Sequence, residues 1–364
     1  MKHLEEDGIT FSTAKTVFYN PAMRLCRSMS SLAVGAIGEK LEVVDAFCAS
    51  GIRGIRYAKE NKNVKKLTFI DIDKRAIALA KKNAKTNKLK ADAVVGNISR
   101  LAFEHDADFL EIDPFGTPSP YLVDAFRYFN TKKLAYLSVT ATDVAVLCGG
   151  KTAACMKNYH SRPMNNEFTH ETGLRIMLKK VTETAAEFNM GITPLVSFSD
   201  KHYLKSVVMV KRSADLAYDS LKQLGHISFC NKCGFRSSGV FPERSCANCG
   251  AENDYAGPLW LGELHDPSFI GKMLELNQKR KYADREQMDH MLSLMLGEIG
   301  MPPYFYNVHA LCKLQQLKSV PKMDDILAKL RKSGHKAVRT HFSPVAIKTA
   351  APYKDVLGVL GWKS

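Results

Sequence analysis

Between Leu41 and Arg212 apolar runs alternate with amphipathic stretches, and no other feature restricts the fold as much. LEVVDAF, VKKLTFIDID, ADAVVGN, ADFLEID and KLAYLSVTAT read as strands. GIRGIRYAKEN, KRAIALAKKNAKTN and SPYLVDAFRYF read as the helices between them. FTHETGLRIMLKKVTETAAEFN is a long helix, and ITPLVSFSD with LKSVVMVKR closes the series with two strands. The period switches from about 2 to about 3.6 and back, which predicts an α/β fold. Its sheet is expected to be open and mostly parallel, with helices on both faces and ligands at the carboxyl ends of the strands. After about Gly225 the texture changes, and the domain boundary is expected near residues 213–228.

The first strand ends in DAFCASGIRGIRY. Gly51 and Gly54 let backbone approach a ligand before a helix N-terminus. The dinucleotide fingerprint G-x-G-x-x-G is absent, which disfavours a nicotinamide enzyme. Asp45 closes the first strand and Asp71 the second, and both are candidate cofactor-binding residues. A carboxylate at the place of Asp71 accepts both hydroxyls of a ribose. Asp73 competes for that role, but it suits the N-cap of the following helix better. A glycine loop followed by a strand-end acid fits an adenosine-bearing ligand without a diphosphate, with S-adenosylmethionine the leading candidate. Asn97, at the end of the third strand, offers an amide to an adenine edge, with an ordinary turn the competing reading. Arg53 and Arg56 lie one helical turn apart, and one of them is expected at the cofactor's methionine carboxylate.

The fourth strand runs into LEIDPFGTPSPY. Pro114 fixes its own φ and biases Asp113 away from helix, so a charge, a free carbonyl and a ring meet at the mouth of the sheet. An exocyclic nucleobase amine is a poor nucleophile, because its lone pair spreads into the ring. Asp113 and the Pro114 carbonyl can each accept one of its N–H groups and turn the lone pair toward a sulfonium methyl. Asp113 can also take the proton as the new bond forms. Phe115 offers a stacking face to a base drawn out of its helix. Methylation at a ring carbon needs a cysteine nucleophile here, and position 115 is Phe.

VFYNPAMRLCRSMS, DAFCASGIRGIRYA, IDPFGTPSPYL, SVTATDVAVLCG, HETGLRIML and RTHFSPVAIKTAAP span Val17 to Pro352. Together they resemble the tRNA (guanine-26, N2)-dimethyltransferase family. The resemblance implies transfer of one or two methyl groups from S-adenosylmethionine to the exocyclic N2 of guanine 26 in tRNA. It implies that Phe18 and Phe115 clamp a flipped guanine while Asp113 contacts its amine. It also implies that Arg27 and Arg53 hold the cofactor's methionine end, Asp71 its ribose, and that Ile72 packs on adenine. Two positions depart from the family: Gly96-Asn97 replaces an acidic residue near the third strand's end, and KTAAP lacks the aspartate of KTDAP. His170 and Glu171 are expected as neighbours of the site. The rival readings are an amino methyltransferase of ribosomal RNA or DNA, and a non-catalytic RNA-binding protein with a degenerate cofactor fold.

Cys230-Asn231-Lys232-Cys233 and Cys246-Ala247-Asn248-Cys249 each precede a glycine. Two such knuckles predict a closed tetrahedral site for structural Zn2+, held by Cys230, Cys233, Cys246 and Cys249. The fold class expected is therefore a Rossmann-like class I methyltransferase domain over residues 1–225 and a zinc-containing, largely helical or mixed tRNA-binding domain over 226–364.

The formal net charge of +15 favours a polyanionic partner. Ten of the Lys and Arg lie between Leu311 and Lys354, against two Asp. RTHFSP within that tail suits phosphate contacts, with a loop packing back on the first domain as the alternative; His309 and His341 are expected to be structural. No run of 18 apolar residues and no signal peptide is present, so no membrane span is expected. The nine cysteines do not form a secreted framework, and a reducing cytoplasm and a monomeric chain are expected.

Overall fold

A computed structural model describes residues 2–102 and 106–362. The chain opens with a hairpin of β1 (Lys2–Glu6) and β2 (Ile9–Thr13). Asp7 and Gly8 both have positive φ, at 48° and 82°, as a two-residue hairpin turn requires. The helix α1 (Arg24–Ile37) follows. Then come β3 (Leu41–Ala46), α2 (Ile52–Glu60), β4 (Val64–Asp71), α3 (Lys74–Thr86), β5 (Asp92–Val95), β6 (Phe109–Ile112) and β7 (Leu134–Ala141). The long helix Thr169–Glu187 leads into β8 (Met190–Asp200) and β9 (Tyr203–Arg212).

These strands form one seven-stranded sheet in the order β5-β4-β3-β6-β7-β9-β8. The first five run parallel, and the β8–β9 hairpin adds an antiparallel edge through β7. Successive strand residues serve opposite faces. Val43 and Phe69 enter the core under α1 and α2, and Val44 and Ile70 enter the core under helix Thr169–Glu187. Both faces are covered, which is why these strands read as apolar runs instead of alternating ones.

The rest of the chain builds on both layers. β10 (Leu224–Phe229), β11 (Arg236–Gly239) and β12 (Asp254–Trp260) make a three-stranded sheet, and β13 (Tyr306–Asn307), β14 (Ala337–Thr340) and β15 (Ser343–Thr349) make another. Ile227, Trp260 and Phe305 join one core of the large sheet. Phe269, Met273 and Leu292, from helices Pro267–Lys279 and Arg285–Glu298, join the other. A third core, including Tyr306, Leu330 and Val356, lies wholly in the C-terminal part. Each buried side chain of this size contributes about 1.5–3 kcal/mol, against about 0–1 for an exposed ion pair. Shared apolar burial therefore joins the C-terminal part to the sheet, beside buried ion pairs such as Lys348–Glu171.

Candidate active site

The carboxyl ends of the parallel strands open onto a cavity of about 700 Å³. Asn97 apart, every residue expected at the catalytic and cofactor positions lines it. The turn from β3 into α2 forms one wall. Gly51 has φ +74°, and a Cβ there would sit 2.9 Å from the Ala80 Cβ. A Cβ on Gly54 would meet Phe69 at 2.8 Å and Asp45 Oδ2 at 2.9 Å. Gly51 thus lets the turn lie close on α3, and Gly54 lets α2 start hard against the sheet. Asp45 is buried, and its Oδ2 accepts the Gly54 N–H at 2.9 Å. Burial, reinforced by nearby Glu111, pushes its carboxyl up to about 7.

Asp71 ends β4 with its carboxylate aimed from two sides. The Ala49 N–H donates to Oδ2 at 3.0 Å and the Asp73 N–H to Oδ1 at 2.9 Å. A carboxylate has about four lone-pair sites, so two bonds leave capacity for ribose hydroxyls. Asp73 accepts the Arg75 N–H at 2.8 Å and caps α3, as expected. Ile72 between them is 75% exposed, an apolar lip on the cavity. Asn97 caps the short helix Ile98–Leu101 by accepting the Ser99 N–H at 2.9 Å, and it is not part of the cavity wall.

The three arginines separate. Arg56 is fully buried and bonds Glu6 (2.9 Å), Asp7 (3.0 Å) and Glu60 (2.7 Å), so it belongs to the scaffold. Arg27 reaches the cavity, with its guanidinium held by Glu6 at 2.7 Å and 2.5 Å. Arg53 bonds the Asp113 carboxylate, donates to Ser30 Oγ at 3.3 Å and lies 3.9 Å from Glu111. Glu111 is buried beneath it, bonded to Lys205 and to Tyr57 Oη at 2.7 Å. Burial opposes the Arg53 charge, and Asp113, Cys26 and Glu111 outweigh it.

Asp113 itself stands at the end of β6 with its side chain 19% exposed, on the cavity wall beside Pro114. The Gly116 N–H donates to Thr142 Oγ1 at 2.7 Å, and the Thr142 N–H donates to the Gly116 carbonyl at 3.0 Å. The loop after Asp113 is thereby fastened to the end of β7. A second fastening runs from Thr117 to Tyr159 Oη (2.8 Å) and on to Asp143 (2.9 Å). Phe18 and Phe115 are 52% and 76% exposed, yet they touch edge to face with centroids 4.5 Å apart. A base held between two rings needs about 7 Å, twice a van der Waals contact. The pair must therefore part to admit one.

Among the wall residues that sequence reasoning did not single out are Thr142 and His202. His202 sits in the turn between β8 and β9, and only the sheet topology brings it to the cavity. It also missed the hairpin acid Glu6, whose Asp7-Gly8 turn was the available signal. His170 and Glu171 do not line the cavity. Glu171 is buried and bonds Arg175 at 2.8 Å and Lys348. His341 bonds Glu298 at 2.7 Å, and Arg339 pairs with Asp324 at 2.8 Å. Within RTHFSP, His341 thus turns to helix Arg285–Glu298, Arg339 to helix Met323–Lys332, and Phe342 packs against a core of the large sheet.

The four knuckle sulfurs lie within 4.8 Å of one another. Cys230–Cys249 and Cys233–Cys246 separations are 3.5 Å and 3.6 Å. That is far beyond a disulfide of about 2.05 Å. It is close to the edge of roughly 3.8 Å that a tetrahedron with metal–sulfur arms of about 2.3 Å has. Gly234 (φ +80°) and Gly250 (φ +70°) turn back to the Cys230 and Cys246 carbonyls at 2.7 Å and 2.9 Å. The donor set and turns fit a structural zinc.

Comparison with known proteins agrees with this geometry. The profile of the N2,N2-dimethylguanosine tRNA methyltransferase family matches residues 1–361. The tRNA (guanine(26)-N(2))-dimethyltransferase of Methanobrevibacter smithii is 35% identical, covering 98% of this chain and 96% of that protein. Its namesake from Thermococcus kodakarensis is 37% identical over 94% and 93%. The solved structure of Trm1 from Pyrococcus horikoshii with S-adenosyl-L-methionine superposes with a TM-score of 0.90 at 30% identity, covering 99% of this chain and all of that one. The chain belongs to the N2,N2-dimethylguanosine tRNA methyltransferase family.

Proposed function

We propose that this chain transfers methyl groups from S-adenosylmethionine to the exocyclic N2 of guanine 26 in tRNA. The observation that carries the reading is the placement of Asp113 and Pro114 on the wall that also holds Asp71, with Phe18 and Phe115 at its mouth. Asp71 takes the ribose hydroxyls, Ile72 lies against adenine, and Arg27 with Arg53 takes the methionine end. Asp45 contributes by fastening the first turn of α2 to the end of β3. Phe18 and Phe115 part and stack on the extruded guanine. Asp113 and the Pro114 carbonyl accept its amine hydrogens and point the nitrogen lone pair at the methyl group. The nitrogen–carbon bond forms as the sulfur–carbon pair returns to sulfur, and the surplus amine proton leaves to a base. In-line positioning supplies much of the rate.

Cys230, Cys233, Cys246 and Cys249 would hold zinc in a closed sulfur shell, leaving it no place in the chemistry. The exposed lysines around helix Met323–Lys332 suit tRNA phosphates. Among the described residues no helix is long and apolar enough to cross a membrane. The test is nucleoside mass analysis of unmodified tRNA after incubation with S-adenosylmethionine. N2-methyl- and N2,N2-dimethylguanosine are expected, and both should vanish when guanine 26 is replaced by adenine. Methylation that persists in the replaced tRNA, or on another base, would refute the reading.

A further inference from the structure

The contact between Arg53 and Asp113 joins two roles that the reaction needs apart. Arg53 is the cavity arginine bonded to the reacting-side carboxylate. A carboxylate that accepts a guanidinium has fewer lone pairs for an amine, and it is a weaker base. The amino-acid carboxylate of the cofactor is the same kind of acceptor, and the methionine end brings it to the same guanidinium. The two acids therefore compete for one cation. Arg53 is anchored from behind by Ser30 Oγ at 3.3 Å and Glu111 at 3.9 Å, so it can change partners without leaving its place on α2. Lys205, fully buried, neutralises Glu111 and leaves the Arg53 charge to be divided between the two competitors. Asp113, at 19% exposure, is the more accessible member of the pair and is free to turn toward the cavity once released.

We propose that Arg53 is a positioning residue for Asp113: the cofactor's carboxylate draws its guanidinium away, and only then does Asp113 accept the guanine amine. Cofactor binding and base capture are thus coupled, and the coupling resides in the amino-acid end of the cofactor. This rests on the function proposed above. Coupling between two sites of one protein typically amounts to about 5–150-fold in affinity, and it is reciprocal.

The test compares S-adenosylhomocysteine, which keeps the carboxylate, with methylthioadenosine, which has the adenosine and thioether without it. The readout is fluorescence of tRNA carrying 2-aminopurine beside guanine 26, titrated with wild-type protein saturated by either ligand. Homocysteine-bearing ligand is expected to strengthen base capture about tenfold over methylthioadenosine. A second readout uses Asp113→Asn, which removes the competing charge. That variant should bind S-adenosylhomocysteine more tightly than wild type by a similar factor, with methylthioadenosine binding unchanged. A merely structural pair would leave that affinity equal or weaker. If the two ligands promote capture alike, or the Asp113→Asn affinity does not rise, the coupling is overturned even though N2-methylation proceeds. Loss of N2-methylation in the wild type would remove the underlying reading as well.

Discussion

Phe115 illustrates what a single residue contributes here. It is 76% exposed, so packing does not explain a phenylalanine there. Stacking on an extruded base is worth about 1–3 kcal/mol. Phe115→Ala should therefore lower kcat/KM for tRNA by about 5- to 150-fold. The Kd for S-adenosylmethionine, measured by calorimetry, should stay at its wild-type value. A comparable loss of cofactor affinity would move the ring to the cofactor wall. The place of Asp71 and Asp113 on the cavity wall was legible in the sequence, because a strand-end acid after an apolar run sits at the mouth of the sheet. The partnership of Arg53 with Asp113 was not legible, since 60 positions separate them and only the β3–β6 pairing brings them together. Asn97 shows the opposite failure. Its side chain satisfies a helix N-terminus next door, a local demand that an isolated strand-end amide conceals.

Elements fix these residues, and two of them can be tested. The hairpin β1–β2 carries Glu6 into the interior, where it neutralises both Arg27 and Arg56. Burial works to raise the Glu6 carboxyl, and Arg27 with Arg56 outweighs it and holds it below its ordinary value. Glu6→Ala leaves two buried guanidiniums short of an anion and should cost about 3–5 kcal/mol by urea unfolding. A loss below about 1 kcal/mol, typical of an exposed pair, would contradict the role.

Helix Arg285–Glu298 ends in a second buried acid. Burial opposes the Glu298 charge, but His341 and Lys348 prevail and bring its carboxyl down to about 2. A depressed folded value means stabilisation that is complete above the ordinary value of about 4.5 and lost as pH falls toward 2. That contribution is on the order of 3 kcal/mol. The stability gap between wild type and Glu298→Gln should therefore shrink from pH 6 to pH 3 in urea titrations. A gap that stays constant over this window would argue against the ion pair. The strands of the large sheet were readable to within a residue or two, because both faces are buried. The tail was not. RTHFSP has the composition of a phosphate contact, and the pairing of His341 with Glu298 and the packing of Phe342 on the large-sheet core depend on tertiary neighbours that no local pattern reveals.

Across the whole molecule, the cores of the large sheet continue into the C-terminal part, and the cysteine knuckles dock on a third core. Gln315 and Tyr353 both donate to the Cys233 carbonyl, and a Cβ on Gly234 would meet Leu311 and Leu314 at 3.0 Å. Removing zinc with a chelator should thus lower stability by about 4 kcal/mol if zinc had stood a thousandfold above its Kd. S-adenosylmethionine should still bind, because the cavity contains none of the four cysteines. Unchanged unfolding after metal removal would show that the knuckles hold without it. The account as a whole depends on one carboxylate at the mouth of the sheet, and single-turnover methyl transfer to tRNA by Asp113→Ala addresses it most directly. The expected result is retained binding of cofactor and tRNA with the rate of N2-methylguanosine formation down by about 10²–10⁴-fold. A variant that methylates guanine at the wild-type rate would contradict it.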